Sequence, residues 1–228
     1  MKEKQYRNHP GCQSDTMKHL VLSVIIVLLI ATLVTGAQIE TAARIERGWN
    51  LLLGFGGPDQ LRDNSISPDS IKAVFALDPI SKGYIRVYPN PENEKIAALG
   101  DAYFENAAHW VYSELSGGAG TTRYSIEEPL PLDQRRLYRG WNLVPYTQDM
   151  LNGDFFTWDS IKGTCTIERI YYWEPNVKLD WYAMTPDTRI SSADYDEVLN
   201  LGNAVKVSSD CSLGRPASQI APPPALPS

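Results

Sequence analysis

RGWNLLLGF, residues 47–55, sets a tryptophan and a run of leucines behind a glycine, and the chain writes RGWNLV again at 139–144. A short apolar run closed by Gly54, Gly56, Gly57 and Pro58 reads as a buried strand stopped by turn residues. The repetition extends well beyond this stretch. DSIK at 69–72 returns at 159–162, and VFALDP at 74–79 returns as IYYWEP at 170–175. Val87-Tyr88 is matched by Trp181-Tyr182, and AHWVYSEL at 108–115 aligns with AVKVSSDC at 204–211. The offsets are 92, 90, 96, 94 and 96, always in the same order, which is the signature of an internal repeat. The sequence therefore predicts two tandem homologous small units, at 43–116 and 138–213, joined by residues 117–137.

Within the first unit, Trp49 to Leu53 is the opening strand. Ser67 is placed as an N-cap before Pro68 at the first helical position. A strand over 73–77, a turn at Asp78-Pro79, a tight reversal at Lys82-Gly83 and a strand over 84–88 form a hairpin. Residues 92–104 have helical spacing through Ile96, Leu99, Tyr103 and Phe104, and 108–115 is the last strand. Asn106 and its counterpart Gly202 are expected to fill one left-handed turn position. The fold class expected is mainly β with short helices, a β-rich α+β arrangement, following an N-terminal apolar helix. The join, with GGAGTT at 117–122 and EEPLP at 127–131, has linker composition. In the second unit Cys165 falls opposite Phe75 when counted forward from DSIK, and inside a six-residue insertion when counted back from the acid-proline pair. The forward count would exchange a Phe75–Leu115 contact for a cysteine pair. Residues 214–228 are rich in proline and form a disordered or extended tail.

Residues 20–34, opening on Leu20 and closing on Val34, are apolar without a charge, with Lys18 and His19 before them and Thr35-Gly36-Ala37 after. That order makes residues 1–37 a signal peptide, cut after Ala37, or a retained membrane anchor. A start at Met17 would give a compact signal. Either way the remainder is extracytoplasmic, membrane-anchored or secreted. Residues 1–37 carry a net +2, so the rest stands at −8 within a total of −6. No basic block occurs, which argues against nucleic acid as a partner. Cys12 precedes the apolar run, so an exported domain keeps Cys165 and Cys211, an even pair in an oxidising compartment. They are expected as a disulfide; the alternative is two free thiols.

Gly48-Trp49-Asn50-Leu51, Gly140-Trp141-Asn142-Leu143, Tyr171-Tyr172-Trp173-Glu174, the strand from Tyr84 to Pro89 and Ala108-His109-Trp110-Val111 together resemble GWNL-type repeat modules of secreted and cell-surface bacterial and archaeal proteins. The resemblance covers both units but not the tail. Phe75-Ala76-Leu77 departs from it where a tryptophan is usual, as does Ala204-Val205-Lys206-Val207 at the end of the second unit. It implies a surface location and a β-leaning fold, and carries over no catalytic residue.

Direct tests for chemistry yield little. An exported domain keeps one histidine, His109, and no nucleophile elbow surrounds a serine, so a Ser-His-acid triad lacks support. His109 reads as a partly exposed strand residue. No metal-ligand or phosphate-loop spacing occurs, and no cofactor is expected. Carboxylates paired as in a glycosidase remain the enzymatic alternative. The aromatics are more suggestive. Tyr171, Tyr172, Trp173 and Trp181 are candidate ligand-facing residues, although such rings also stabilise a hairpin by packing. Alternation requires that either Tyr171 and Trp173, or Tyr172, face solvent. Trp49 and Trp141 are expected as buried structural anchors. The function expected is a non-enzymatic envelope or surface module that binds or spaces, with a glycan or envelope protein as partner and the membrane a partner through residues 20–34 if these are kept. The alternative is a small secreted, carboxylate-dependent, carbohydrate-active hydrolase.

Overall fold

The structure, a computed structural model, describes residues 37–175 and 180–215. The apolar run at 20–34 and the proline-rich tail beyond Arg215 lie outside the described residues. Among the described residues no helix is long and apolar enough to cross a membrane.

The chain is mainly β. Strand β1 (Gln38–Glu46) leads into β2 (Gly48–Leu53), which carries the first GWNLLL. Strands β3 (Ile71–Leu77) and β4 (Tyr84–Tyr88) form the expected hairpin, and β5 (Ala108–Ser113) inserts between β2 and β3, giving a four-stranded sheet in the order β2-β5-β3-β4. After β6 (Ala119–Glu127) and the short β7 (Arg136–Leu137), the second GWNL opens β8 (Gly140–Pro145). With β9 (Phe155–Phe156), β10 (Ile167–Glu174), β11 (Asp180–Met184), β12 (Ile190–Ser191) and β13 (Gly202–Val207), it builds a second four-stranded sheet, ordered β8-β13-β10-β11, and a small β9–β12 pair. In each sheet the opening strand pairs with the last, the last with the second, and the second with the third.

The GWN triplet closes the corner at which each sheet begins. Gly48 and Gly140 sit at φ 101° and 88°, where a side chain would be strained. The asparagine two residues on from each glycine is buried and clips the corner. Asn50 Oδ1 accepts from the Glu46 amide at 2.8 Å, while its Nδ2 donates to the carbonyls of Glu46 and Gly48 at 2.9 and 3.1 Å. Asn142 does the same to Tyr138 and Gly140, at 2.9, 2.7 and 3.1 Å. Glycine permits the turn and asparagine satisfies its backbone groups, so the recurring letters have a structural cause. The intervening tryptophan points to the other face. Trp49 is 37% exposed and Trp141 half-buried, so neither is the buried anchor expected of it. Alternation on a strand explains the correction: Asn50 and Leu52 turn inward to the first core, and Trp49 cannot follow them.

Register revises the sequence alignment at its end. Asn50 opposes Val111 and Asn142 opposes Val205, so Ala108 corresponds to Gly202, two positions from the alignment with Ala204. Both second strands bulge at the same place, between Ile71 and Ala73 and between Ile167 and Arg169. Counting back from the acid-proline pair is therefore the correct count: Tyr171 stands where Phe75 does, and Cys165 lies in the insertion. Its partner Cys211 opens β14 (Cys211–Ser212), and the two are disulfide-bonded with Cα atoms 5.0 Å apart.

Residues 119–127 are strand rather than linker. β6 pairs along its length with β1, nine residues on each side, because Thr122, Tyr124 and Ile126 alternate toward the core. The turn before β6 runs from Leu115 to Gly118, whose amide donates to the Leu115 carbonyl. The equivalent ribbon beside the second sheet, β7 with β14, is two residues long, and there the disulfide ties it down. The helical stretch at 92–104 is broken by Gly100 at φ 76° into α1 (Asn93–Leu99) and α2 (Asp101–Phe104). A third short helix, α3 (Tyr195–Val198), precedes β13. Ser67 flanks a single 3-10 turn and makes no side-chain cap. Lys82 takes the left-handed place in the hairpin turn at φ 62°.

Three clusters make the core. One face of the first sheet packs Leu52, Val74 and Val111 against Ile45, Phe55 and Tyr124, and one face of the second packs Val144, Ile170 and Val205 against Tyr146, Phe156 and Trp158. The remaining faces meet each other through Leu51, Leu77, Ala108 and Leu143. Small residues make that meeting possible. A Cβ on Gly202 would stand 2.4 Å from Leu51 Cγ and 2.6 Å from Ala108 Cβ, so Gly202 serves close approach, and neither it nor Asn106 has positive φ. Asn200, left-handed at φ 68°, donates to Thr41 Oγ1 and the Ala42 carbonyl, and its own carbonyl accepts from the Leu53 amide.

Candidate functional site

Where the two facing sheets diverge, their aromatic residues line an open trough of about 430 Å³. Its walls are Trp49, Phe75, Tyr84 and Trp110 from the first sheet and Trp173 and Trp181 from the second. Alternation sets this. Trp49 on β2, Trp110 on β5, and Phe75 and Tyr84 on the hairpin share the face opposite Asn50, Val111 and Val74. Trp173 and Trp181 are directly paired across β10 and β11.

The rings hold each other edge to face. Trp110 lies 4.9 Å from Trp173 and 5.6 Å from Trp181, and those two are 5.3 Å apart. Trp49 stands 6.1 Å from both Trp110 and Phe75 and 5.0 Å from Tyr112. Such pairs contribute about 0.5–1.5 kcal/mol each beyond the area they bury. Two indole donors are used internally: Trp173 Nε1 donates to the Trp49 carbonyl at 2.8 Å, and Trp110 Nε1 to the Tyr84 hydroxyl at 3.3 Å. The walls therefore present ring faces and ring edges, with no carboxylate among the lining residues. Tyr84, 57% exposed, stands at the rim.

Of the four aromatics proposed from sequence, Trp173 and Trp181 line the trough. Tyr171 shares their face, with its ring 5.7 Å from Trp141 and 6.5 Å from Trp181. Tyr172 points the other way, into the second core, where burial pushes its hydroxyl up to about 12. The hairpin thus turns Tyr171 and Trp173 outward and Tyr172 inward. Sequence reasoning missed the first sheet's half of the site. The signal was present in the i, i+2 spacing of Trp110 and Tyr112 and in the position of Trp49 on the face opposite Asn50. The second sheet has Ala204 and Lys206 at the places of Trp110 and Tyr112, so it forms no equivalent aromatic wall there.

His109 is fully buried, a correction to the partly exposed residue expected. Its Nδ1 lies 3.0 Å from the Phe55 carbonyl, its ring packs on Phe104 at 4.3 Å, and burial holds it down to about 4. A neutral imidazole enclosed in the core reaches no substrate. Glu105 is the carboxyl held above its ordinary value, first by burial and then by Glu127 and Asp101, and it does not line the trough. Among the described residues no group of His, Cys, Asp or Glu is arranged to hold a metal ion. Arg135 is buried and grips both carboxylate oxygens of Asp149 at 2.9 Å, a brace between β7 and the segment after β8. Comparison with family models, with characterised proteins and with solved structures finds no match for this chain.

Proposed function

We propose that this chain is an exported, non-enzymatic module of the cell envelope or surface, built from two copies of one unit, which binds a partner in the aromatic trough. The observation that carries this reading is the convergence of four of the six tryptophans, with Phe75 and Tyr84, on one open groove. An exposed aromatic surface costs solvation, and its usual use is recognition. Export is supported by the basic-apolar-small order of residues 1–37, by the Cys165–Cys211 bond, and by the first strand opening at Gln38, just after the candidate cleavage position. Duplication is supported by the shared strand order, the shared bulge and the two Gly-Trp-Asn corners. The resemblance to GWNL-type surface modules agrees with both.

The hydrolase reading has less behind it, since the trough has no lining carboxylate and the one histidine of the exported part is sealed in the core. Residues 38–228 applied to a glycan array and to isolated envelope material test the proposal. Retention without turnover, lost on Trp181→Ala, is the expected result. Hydrolysis that disappears on changing a single acidic residue would sink it in favour of the enzyme.

A further inference from the structure

The trough's chemistry says more about its ligand than that it is flat. A sugar needs hydrogen-bonding partners for its hydroxyls, and groups left unmatched are costly. Here the Trp173 and Trp110 indole donors are already taken by the Trp49 carbonyl and the Tyr84 hydroxyl. What remains is aromatic surface with few donors: the indole N–H groups of Trp49 and Trp181, and the Tyr84 hydroxyl at the rim. That combination suits an extended proline-rich chain: its rings are flat and apolar, its backbone is pre-ordered and so loses little entropy on docking, and it offers carbonyls to a rim donor.

The chain itself carries such a segment. Residues 216–228, PASQIAPPPALPS, hold no charged residue, and 221–227 reads APPPALP. We propose that the trough is the docking site of a proline-rich segment in polyproline II conformation, and that residues 221–227 of this chain are its occupant, in the same molecule or a neighbouring one. This rests on the reading of the trough as a binding site and names the ligand class. Reach decides which molecule supplies it. Five residues, 216–220, join Arg215 to the segment and extend about 15 Å at about 3.1 Å per residue, so a trough farther than that from Arg215 takes the segment of a neighbouring molecule. The absence of charge also matches: a charged tail would have to desolvate against ring faces, and this one would not.

The test uses the full chain held in a lipid nanodisc, with the six indole N–H signals followed by NMR. Replacing Pro222, Pro223 and Pro224 together by serine is expected to move the signals of Trp110, Trp173 and Trp181, while Trp158 in the second core stays. A synthetic peptide of residues 215–228, added to that variant, should restore them saturably, and Tyr84→Ala, a rim change that leaves the cores intact, should weaken the peptide about tenfold. No movement on substitution, or peptide binding indifferent to Tyr84 and Trp181, overturns the proposal. A soluble chito-oligosaccharide separates the two levels. If it shifts the trough signals of the serine variant and the peptide does not, the proline-rich ligand is wrong and the binding site stands. If neither probe shifts them, both readings fall.

Discussion

Removing the asparagine clip tests the structural reading of the GWN motif. In Asn142→Ala three hydrogen bonds disappear from a site 1% exposed: one accepted from the Tyr138 amide and two donated to the Tyr138 and Gly140 carbonyls. At about 1 kcal/mol net for each buried bond, the expected loss is about 3 kcal/mol. Asn50→Ala removes the equivalent three and a longer donation to the Val111 carbonyl at 3.4 Å, while the Glu46 carbonyl keeps a hydrogen bond from Ser113 Oγ at 2.6 Å, so the cost there should be about the same. Urea unfolding of the oxidised protein measures both. With a slope of about 2 kcal/mol per molar, Asn142→Ala should lower the midpoint by about 1.5 M at unchanged slope. Asn142→Asp keeps the acceptor but loses both donations and buries a charge, so it should not rescue. If both alanine variants lie within about 0.5 kcal/mol of the parent, the clip is not what the motif is for.

Four further outcomes are expected. Trp49→Ala, at a ring more than a third exposed, should cost no more than about 2 kcal/mol in the same assay, below the range for a buried ring. Gly202→Ala should cost about 1–3 kcal/mol by overpacking against Leu51 and Ala108, read as a fall in melting temperature. His109 titrates near 4 when folded against 6.5 when free, so the unfolded chain binds the extra proton between those values; stability should be complete above about pH 6.5 and fall by up to about 3 kcal/mol as pH drops toward 4. His109→Asn, the residue the second sheet has at Asn203, should flatten that slope in unfolding measured across pH. Reducing Cys165–Cys211, which closes a 46-residue separation, should cost up to about 4 kcal/mol, and mass measured without reductant should show no free thiol at either position.

Much of the fold was legible because the strands alternate and the turns use residues with one purpose. The hairpin at 78–83, a last strand at 108–115 and the helical stretch after β4 follow from apolar spacing and from Gly and Pro positions, whereas the insertion of that last strand between β2 and β3 does not. Three features were hidden for physical reasons. Gly-Gly-Ala-Gly looked like freedom, but a strand can begin directly after a glycine turn, and β6 does. Gly202 looked like a turn residue, but its small size serves a neighbouring sheet that no local window shows. Trp49 looked like core because large apolar residues are costly to expose, yet the asparagine beside it must face inward to close the corner. For the site, the second sheet's Trp173 and Trp181 could be picked from their clustering in sequence. The first sheet's contribution required knowing that the two sheets face each other, a long-range contact that periodicity does not encode.

The aromatic trough is proposed as the surface through which this protein binds its partner. Binding of residues 38–228 and of their Trp181→Ala variant to isolated envelope material is compared, with circular dichroism showing that both are folded. Saturable binding by the parent and a loss of about tenfold or more in the variant are expected. Equal binding by two equally folded proteins would contradict it and move the search to another face of the molecule.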